Sequence, residues 1–134
     1  MRALVLAVSM MVVVAACGGD DDSPKGGGES PVVIDANEFE FKGDDPVRVT
    51  AGAEVVLELR NRGSIEHNWT LLAAGVGAAG SEEITAADIV AQVAADASKA
   101  GTVQFVAPSP GTYRVVCTIP GHLEAGMEAS LVAS

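Results

Sequence analysis

The sequence CTIPGHLEAGM, residues 117–127, is the segment from which the fold and the chemistry of this chain are predicted. It brings a thiol, an imidazole and a thioether, at Cys117, His122 and Met127, into eleven consecutive residues. Valine-rich segments of alternating polarity flank it on both sides. We therefore interpret residues 117–127 as a loop that joins two adjacent strands and presents three soft metal ligands at one end of a sheet.

From Pro31 onward the chain shows the two-residue alternation of β-strands, interrupted by turn signals. Val55, Leu57 and Leu59 face one side of one such strand while charged residues face the other, as expected for a sheet with one buried face. Seven segments have this character: VVIDANEFEF, PVRVTA, AEVVLELR, HNWTLL, GTVQFVAP, GTYRVVCT and MEASLVAS. The prediction is an all-β sandwich of about seven strands, with the HNWTLL strand in the sheet that faces the 117–127 loop.

One segment breaks the strand pattern. Residues 81–98, SEEITAADIVAQVAADAS, begin with a serine and two glutamates, and Ile84, Ile89, Val90 and Val93 recur at helical spacing among alanines. A serine followed by acidic residues is typical of a helix start. We therefore predict one amphipathic α-helix inserted between the strands.

The N-terminal part of the chain has the features of an exported lipoprotein. Residues 1–16 carry one arginine and then an unbroken apolar run ending in small residues, which indicates a signal peptide. Cys17 follows in the sequence VAAC, which resembles a bacterial lipobox and implies a lipid on that cysteine. Residues 17–30 are glycine-rich, acidic and without large apolar side chains, so we expect a flexible tether before a folded domain at 31–134. The predicted location is outside the cytoplasm, anchored to a membrane by lipid.

Acidic residues dominate the charge of the chain. It has eighteen aspartates and glutamates against eight lysines and arginines, and loss of the signal peptide removes one arginine, which leaves a net charge near −11. Such a surface argues against nucleic-acid binding and favours a basic protein partner.

The soft metal ligands of the mature chain form a small set. The only two histidines are His67 and His122, the only methionine is Met127, and the only thiol besides Cys17 is Cys117. Each alone would be read as a packing residue. Together, in an exported chain with no disulfide partner for Cys117, they indicate a metal site.

The donor types favour copper. Two imidazoles and a thiolate with a weak axial thioether are the ligands of a blue copper centre. Zinc is the alternative, because a cysteine and two histidines also suit it, and its fourth ligand would then be Met127 or a carboxylate such as Glu66 or Glu124.

Two stretches resemble the cupredoxins, the type 1 blue copper proteins, and in particular the azurin and auracyanin group. The first is His67-Asn68-Trp69 with the apolar strand that follows, and the second runs from Gly111-Thr112-Tyr113 through Cys117-Thr118-Ile119-Pro120-Gly121-His122 to Met127. The resemblance covers residues 31–134. It implies a Greek-key β-sandwich in which the helix lies between the two stretches.

The resemblance also implies roles for individual residues. His67, Cys117 and His122 would be the equatorial ligands of one type 1 copper, and Met127 would be the axial ligand. Asn68 and Thr118 would lie outside the ligands, with the Asn68 side chain bridging the histidine strand to the Cys117–Thr118 loop.

The implied function is the shuttling of single electrons between redox protein partners that dock near an exposed edge of His122. We expect an apolar rim there, formed by Ile119, Pro120, Leu123, Ala74 and Val76. An enzyme is not expected, because copper enzymes with this domain need further histidines and this chain has none to spare. The alternative is a copper storage or delivery lipoprotein.

Overall fold

The computed structural model describes residues 30–134. The predicted signal peptide, the lipidated Cys17 and all of the tether except Ser30 lie outside these residues. Within the described part, no helix is long and apolar enough to cross a membrane.

Two β-sheets pack face to face. Within residues 30–134 their nine strands are β1 (Val32–Asn37), β2 (Glu40–Lys42), β3 (Val47–Val49), β4 (Glu54–Asn61), β5 (His67–Leu72), β6 (Ile89–Ala95), β7 (Ala100–Val106), β8 (Gly111–Val116) and β9 (Glu128–Ala133). One sheet has the order β2-β1-β4-β7 and the other has the order β3-β9-β8-β5-β6. Strand β1 is parallel to β4 and β3 is parallel to β9, whereas the remaining pairs are antiparallel. The predicted all-β sandwich is confirmed.

The core lies between the two sheets and follows the alternation in the sequence. Val55, Leu57 and Leu59 of β4 are buried as predicted. The Trp69 ring on β5 lies 5.9 Å from the Phe105 ring on β7 of the opposite sheet, so the two aromatic side chains pack across the core. Burial of each such large apolar side chain contributes about 1.5–3 kcal/mol.

Strand β5 is buried along its whole length. Its inner face belongs to the core, and Leu72, at its end, packs outside the core with Val116, Leu123, Val76 and Ile84. A strand covered on both faces is held firmly in place. This strand begins at His67, so the first residue of the metal site is fixed by the framework of the sheet.

The prediction of an α-helix at 81–98 is wrong. Two short 3₁₀ turns, Ser81–Glu83 and Ala86–Asp88, are followed by strand β6. In β6 every second residue, from Ala91 to Ala95, is buried and the residues between them are exposed. Ile89 and Val93 therefore fit a two-residue period, whereas Val90 is exposed, and pairing along β5 outweighs the helical propensity of the alanines.

The strand count also differs from seven. The segment VVIDANEFEF turns at Glu38 and Phe39 and forms two strands, β1 and β2. Together with β6, this division gives nine strands in the part of the chain that the structure describes. The placement of His67 in the facing sheet is wrong as well, because β5 pairs directly with β8 in the same sheet as the 117–127 loop.

Candidate metal centre

The 117–127 loop is closed by its own backbone hydrogen bonds. The Cys117 N–H donates to the Met127 carbonyl at 3.1 Å, and the Met127 N–H donates to the His122 carbonyl at 3.0 Å. Gly121 and Gly126 have φ of 86° and 94°, a left-handed conformation that glycine adopts without cost. These bonds draw the two ends of the loop together, and they bury the side chains of Cys117, His122 and Met127.

Three predicted ligands meet at one point. One donor atom from each of His67, Cys117 and His122 lies within 4.8 Å of the other two. The Cys117 Sγ is 3.3 Å from the His122 Nδ1, and the two imidazole rings are 5.0 Å apart. His67 and Cys117 are fully buried, and His122 keeps only 6% of its surface. Met127 is buried in the same core as Cys117.

The chemistry of these donors fits a metal ion. Both ring nitrogens of His67 are buried without a hydrogen-bond partner among the described residues. Burial, and then the nearby His122, lowers the pKa of His67, so its imidazole is held neutral and able to donate a lone pair. An unsatisfied buried polar atom costs about 1–3 kcal/mol, and a bond to a metal ion would remove that cost.

The thiol of Cys117 is equally suited to a metal. Burial raises its pKa, while the backbone N–H groups of Asn68 and Ile119 oppose that shift. The Asn68 N–H points at Sγ from 3.5 Å. A metal ion would supply the positive charge that stabilises a buried thiolate.

Asn68 lies where the sequence predicts it, bridging the two ligand-bearing segments. Its Nδ2 donates to the Thr118 Oγ1 at 2.9 Å, and its Oδ1 accepts the Thr118 N–H at 2.9 Å and the Thr70 hydroxyl at 3.0 Å. The antiparallel register that pairs Thr70 with Val116 brings these groups together. The side chain therefore fixes the start of the copper loop relative to the histidine strand.

A second structural residue near the site, Asn61, is missing from the sequence predictions. Its Nδ2 donates to the carbonyls of Ile65 and Ala95 at 2.6 and 2.8 Å, and its Oδ1 accepts the Gly63 N–H at 2.8 Å. Asn61 thus shapes the turn that leads into His67. Asn61-Arg62-Gly63 is a turn signal, but nothing in the sequence specifies the hydrogen-bond partners of the Asn61 side chain.

Gly63 approaches His67 closely because of this turn. A Cβ placed on Gly63 would lie 3.1 Å from the His67 Nε2 and 2.7 Å from the Glu38 Oε1. Only glycine fits there without displacing a neighbour. The backbone of residues 61–66 therefore forms one wall of the metal site.

The turn between β1 and β2 covers the site, which the sequence analysis also missed. The Glu38 Oε1 accepts hydrogen bonds from the Ser64 N–H at 2.5 Å and the Ser64 hydroxyl at 2.9 Å. The Phe39 ring lies edge-on to the His122 ring, with centroids 5.2 Å apart and planes at 88°. Phenylalanine in the alternating segment VVIDANEFEF reads as an ordinary strand residue, so no sequence signal identified it.

The predicted rim around His122 is only partly present. Pro120 and Ala74 are exposed, Ile119 and Val76 are half-buried, and Leu123 is buried beside β5. The expected exposed edge of His122 is reduced to a small fraction of its surface.

The carboxylate of Glu124 ties the loop to the 3₁₀ turn at Ser81. Its Oε1 accepts the Ser81 N–H at 3.1 Å. Backbone hydrogen bonds, first from Glu124 itself and then from Ser81, lower the pKa of Glu124 and keep it ionised.

Solved structures identify the class to which this fold and site belong. Reduced auracyanin from Roseiflexus castenholzii superposes with a TM-score of 0.70 at 22% identity, over 80% of this chain and 98% of that one. Auracyanin B superposes with a TM-score of 0.67 at 28% identity, over 79% and 91% of the two chains. Auracyanin A from Chloroflexus aurantiacus, described as a "blue" copper protein, gives 0.62 at 30% identity, over 78% and 100%. The class is that of the cupredoxins.

The family follows from the sequence match. The model of the sulfocyanin (SoxE) domain matches residues 30–134. The chain therefore belongs to the sulfocyanin family of blue copper proteins, and the predicted resemblance to cupredoxins is confirmed. The family and the donor set together indicate copper rather than zinc.

Curated relatives agree with this assignment. Auracyanin-B and auracyanin-A of Chloroflexus aurantiacus are each 32% identical, over 56% and 64% of this chain. Sulfocyanin of Sulfolobus acidocaldarius is 32% identical over 73% of this chain. The matched regions span 38%, 62% and 57% of those three proteins.

Proposed function

We propose that this protein is a one-electron carrier with a single type 1 copper held by His67, Cys117, His122 and Met127. The observation that carries the proposal is the buried convergence of two imidazoles and one thiol within 4.8 Å. The relatives support it, since auracyanin A is described as a "blue" copper protein. When bound, copper would supply reversible Cu(I)/Cu(II) chemistry.

The protein's own contribution is to hold the ligands in place beforehand. Strand β5 fixes His67, the closed loop fixes Cys117 and His122, and the Asn68 side chain joins the two. Burial of all three donors keeps water away from them. A site that is rigid before the metal arrives changes little during a redox cycle, and this favours fast electron transfer.

The cellular setting is also proposed. We infer an exported protein, anchored outside the cytoplasm by a lipid on Cys17, that exchanges electrons with basic redox proteins at the His122 end of the sandwich. The net charge of −10 for the full chain favours basic partners. A role as an enzyme is disfavoured, because the two histidines of the sequence are both used by one site.

The decisive experiment is Cu(II) loading of the purified protein beside Cys117→Ser. An intense visible thiolate-to-copper absorption band and a narrow copper hyperfine splitting are expected for the wild-type protein, and both should be lost in Cys117→Ser. A weak band that the substitution leaves unchanged would refute the type 1 site.

Storage or delivery of copper is the competing function, and metal retention separates the two. A carrier should undergo repeated one-electron cycles without losing copper. Ready transfer of Cu(I) to a chelator during such cycles would instead support delivery.

A further inference from the structure

Phe39 occupies an unusual position for a large aromatic residue. It lies in the two-residue turn between β1 and β2, and 44% of its surface is exposed. Its ring nevertheless contacts His122 edge-on, with 5.2 Å between ring centroids. Edge-to-face contact is a favourable geometry for aromatic rings.

The backbone of Phe39 is also unusual. Its φ is +62°, in the left-handed region that glycine, asparagine and aspartate normally occupy, and this costs a bulky residue about 1–2 kcal/mol. Such strain persists only where surrounding contacts impose it, and it is often associated with function. Glycine or asparagine would make this turn without strain, so the strain is a cost of placing the Phe39 ring beside His122.

The neighbouring residue holds the turn in place. Glu38 accepts two hydrogen bonds from Ser64, a residue 26 positions along the chain in the turn that leads to His67. The Ser64 N–H, then the Glu38 backbone N–H and then the Ser64 hydroxyl lower the pKa of Glu38, so its carboxylate is ionised at neutral pH. The β1–β2 turn is thus tied to the wall of the metal site, with the Phe39 ring over His122.

We propose that Phe39 is a positioning residue for His122: its ring, held by the Glu38–Ser64 clamp, fixes the imidazole and closes the path from solvent to Cys117. This path is short. Cys117 is fully buried, but its Sγ lies only 3.3 Å from the Nδ1 of His122, whose ring is in contact with Phe39. The proposal deepens the proposed function, since the site that it protects is the copper site.

The test measures how fast iodoacetamide alkylates Cys117 in the metal-free protein. Every sample carries Cys17→Ser, so that Cys117 is the only thiol. Phe39→Gly removes the ring, Phe39→Tyr retains it, and Val106→Ala removes an exposed apolar side chain on β7, where Val106 is 63% exposed. Phe39→Asn, which also tolerates a positive φ, provides a second ring-free variant.

Phe39→Gly and Phe39→Asn should be alkylated about 2- to 12-fold faster than the parent protein, the range expected for loss of one edge-to-face aromatic contact. Phe39→Tyr and Val106→Ala should react at the parent rate. The urea midpoints of the ring-free variants should be unchanged or higher, because the backbone strain is relieved. Faster alkylation together with a lowered midpoint would indicate general loosening and overturn the proposal.

NMR spectra of the metal-free protein test the contact between the Phe39 and His122 rings directly. The ring protons of His122 should shift in Phe39→Gly and keep their positions in Phe39→Tyr, since a ring current is lost only in the former. In copper-loaded protein, release of copper to a chelator should accelerate by the same 2- to 12-fold factor in Phe39→Gly. An unchanged alkylation rate, or unmoved His122 signals, would overturn the proposal. Failure of copper binding would leave both metal-free readouts intact, so it would count against the proposed function alone.

Discussion

Replacement of Asn68 by alanine should strongly destabilise the protein, because the Asn68 side chain joins the two ligand-bearing segments of the site. The substitution removes three hydrogen bonds, one from the Thr70 hydroxyl and two shared with Thr118. The Thr118 N–H is then left without its acceptor. Because Asn68 is buried, water does not readily replace the lost partners.

The magnitude follows from the number of bonds. Each buried hydrogen bond contributes about 1 kcal/mol net, so Asn68→Ala should lower the free energy of unfolding by about 3 kcal/mol. For a domain of this size, about 3 kcal/mol corresponds to a fall in Tm of roughly 12 °C or more. That is a large share of the 5–15 kcal/mol that is typical of a single domain.

The assay is urea unfolding of the metal-free protein, followed by Trp69 fluorescence, so that metal affinity does not enter. Gln92→Ala is the matched control, because Gln92 donates to the same two hydroxyls, at 2.7 Å to Thr70 and 3.2 Å to Thr118, from an exposed position. It should cost less than about 1 kcal/mol. If Asn68→Ala also cost less than about 1 kcal/mol, or if the two variants were equally destabilised, the bridging role of Asn68 would be refuted.

Three further predictions concern the walls and the charge of the site. In the folded metal-free protein the pKa of His67 lies below the ordinary 6.5, so the folded state binds fewer protons at His67 than the unfolded chain does. The free energy of unfolding should therefore fall as the pH drops below about 7. In His67→Gln the urea midpoint should depend less on pH. Gly63→Ala should cost about 1 kcal/mol, the low end for overpacking, because the Glu38 carboxylate can move aside at the end of a flexible side chain while the His67 ring must shift slightly. Gly77→Ala, which has open space around it, should be neutral in the same urea assay. Glu124→Gln should raise the copper reduction potential slightly in voltammetry, because a negative charge near the site favours the oxidised metal and solvent screens most of its effect; no rise would contradict that account.

The ligand set could be predicted from the sequence because it depends on residue types that are scarce. Two histidines, one available thiol and one methionine in the mature chain leave few combinations. The structure brings His67, Cys117 and His122 together and buries Met127 beside them. The bridging role of Asn68 was implied by the resemblance to cupredoxins, and in the structure its side chain hydrogen-bonds to Thr118.

The segment at 81–98 shows where pattern alone is insufficient. Ile89 and Val93 satisfy both a helical and a two-residue period, and the alanines between them favour helix locally. The free edge of β5 decides the outcome, because β6 completes its hydrogen bonds with a register that pairs Trp69 with Val93. A partner 24 positions away cannot be read from the segment itself.

The walls of the site were missed for a related reason. Glu38 and Phe39 are separated from His122 by more than eighty residues in the sequence, and they reach it only because β1 pairs with β4, whose last residue, Asn61, begins the turn to His67. The metal ligands can be predicted from their residue types, whereas residues such as Glu38 and Phe39 are identified only by where the fold places them. The metal site is therefore built from two kinds of information: a loop whose composition specifies copper, and a framework whose strand order determines which ordinary residues, such as a glutamate and a phenylalanine, come to lie against it.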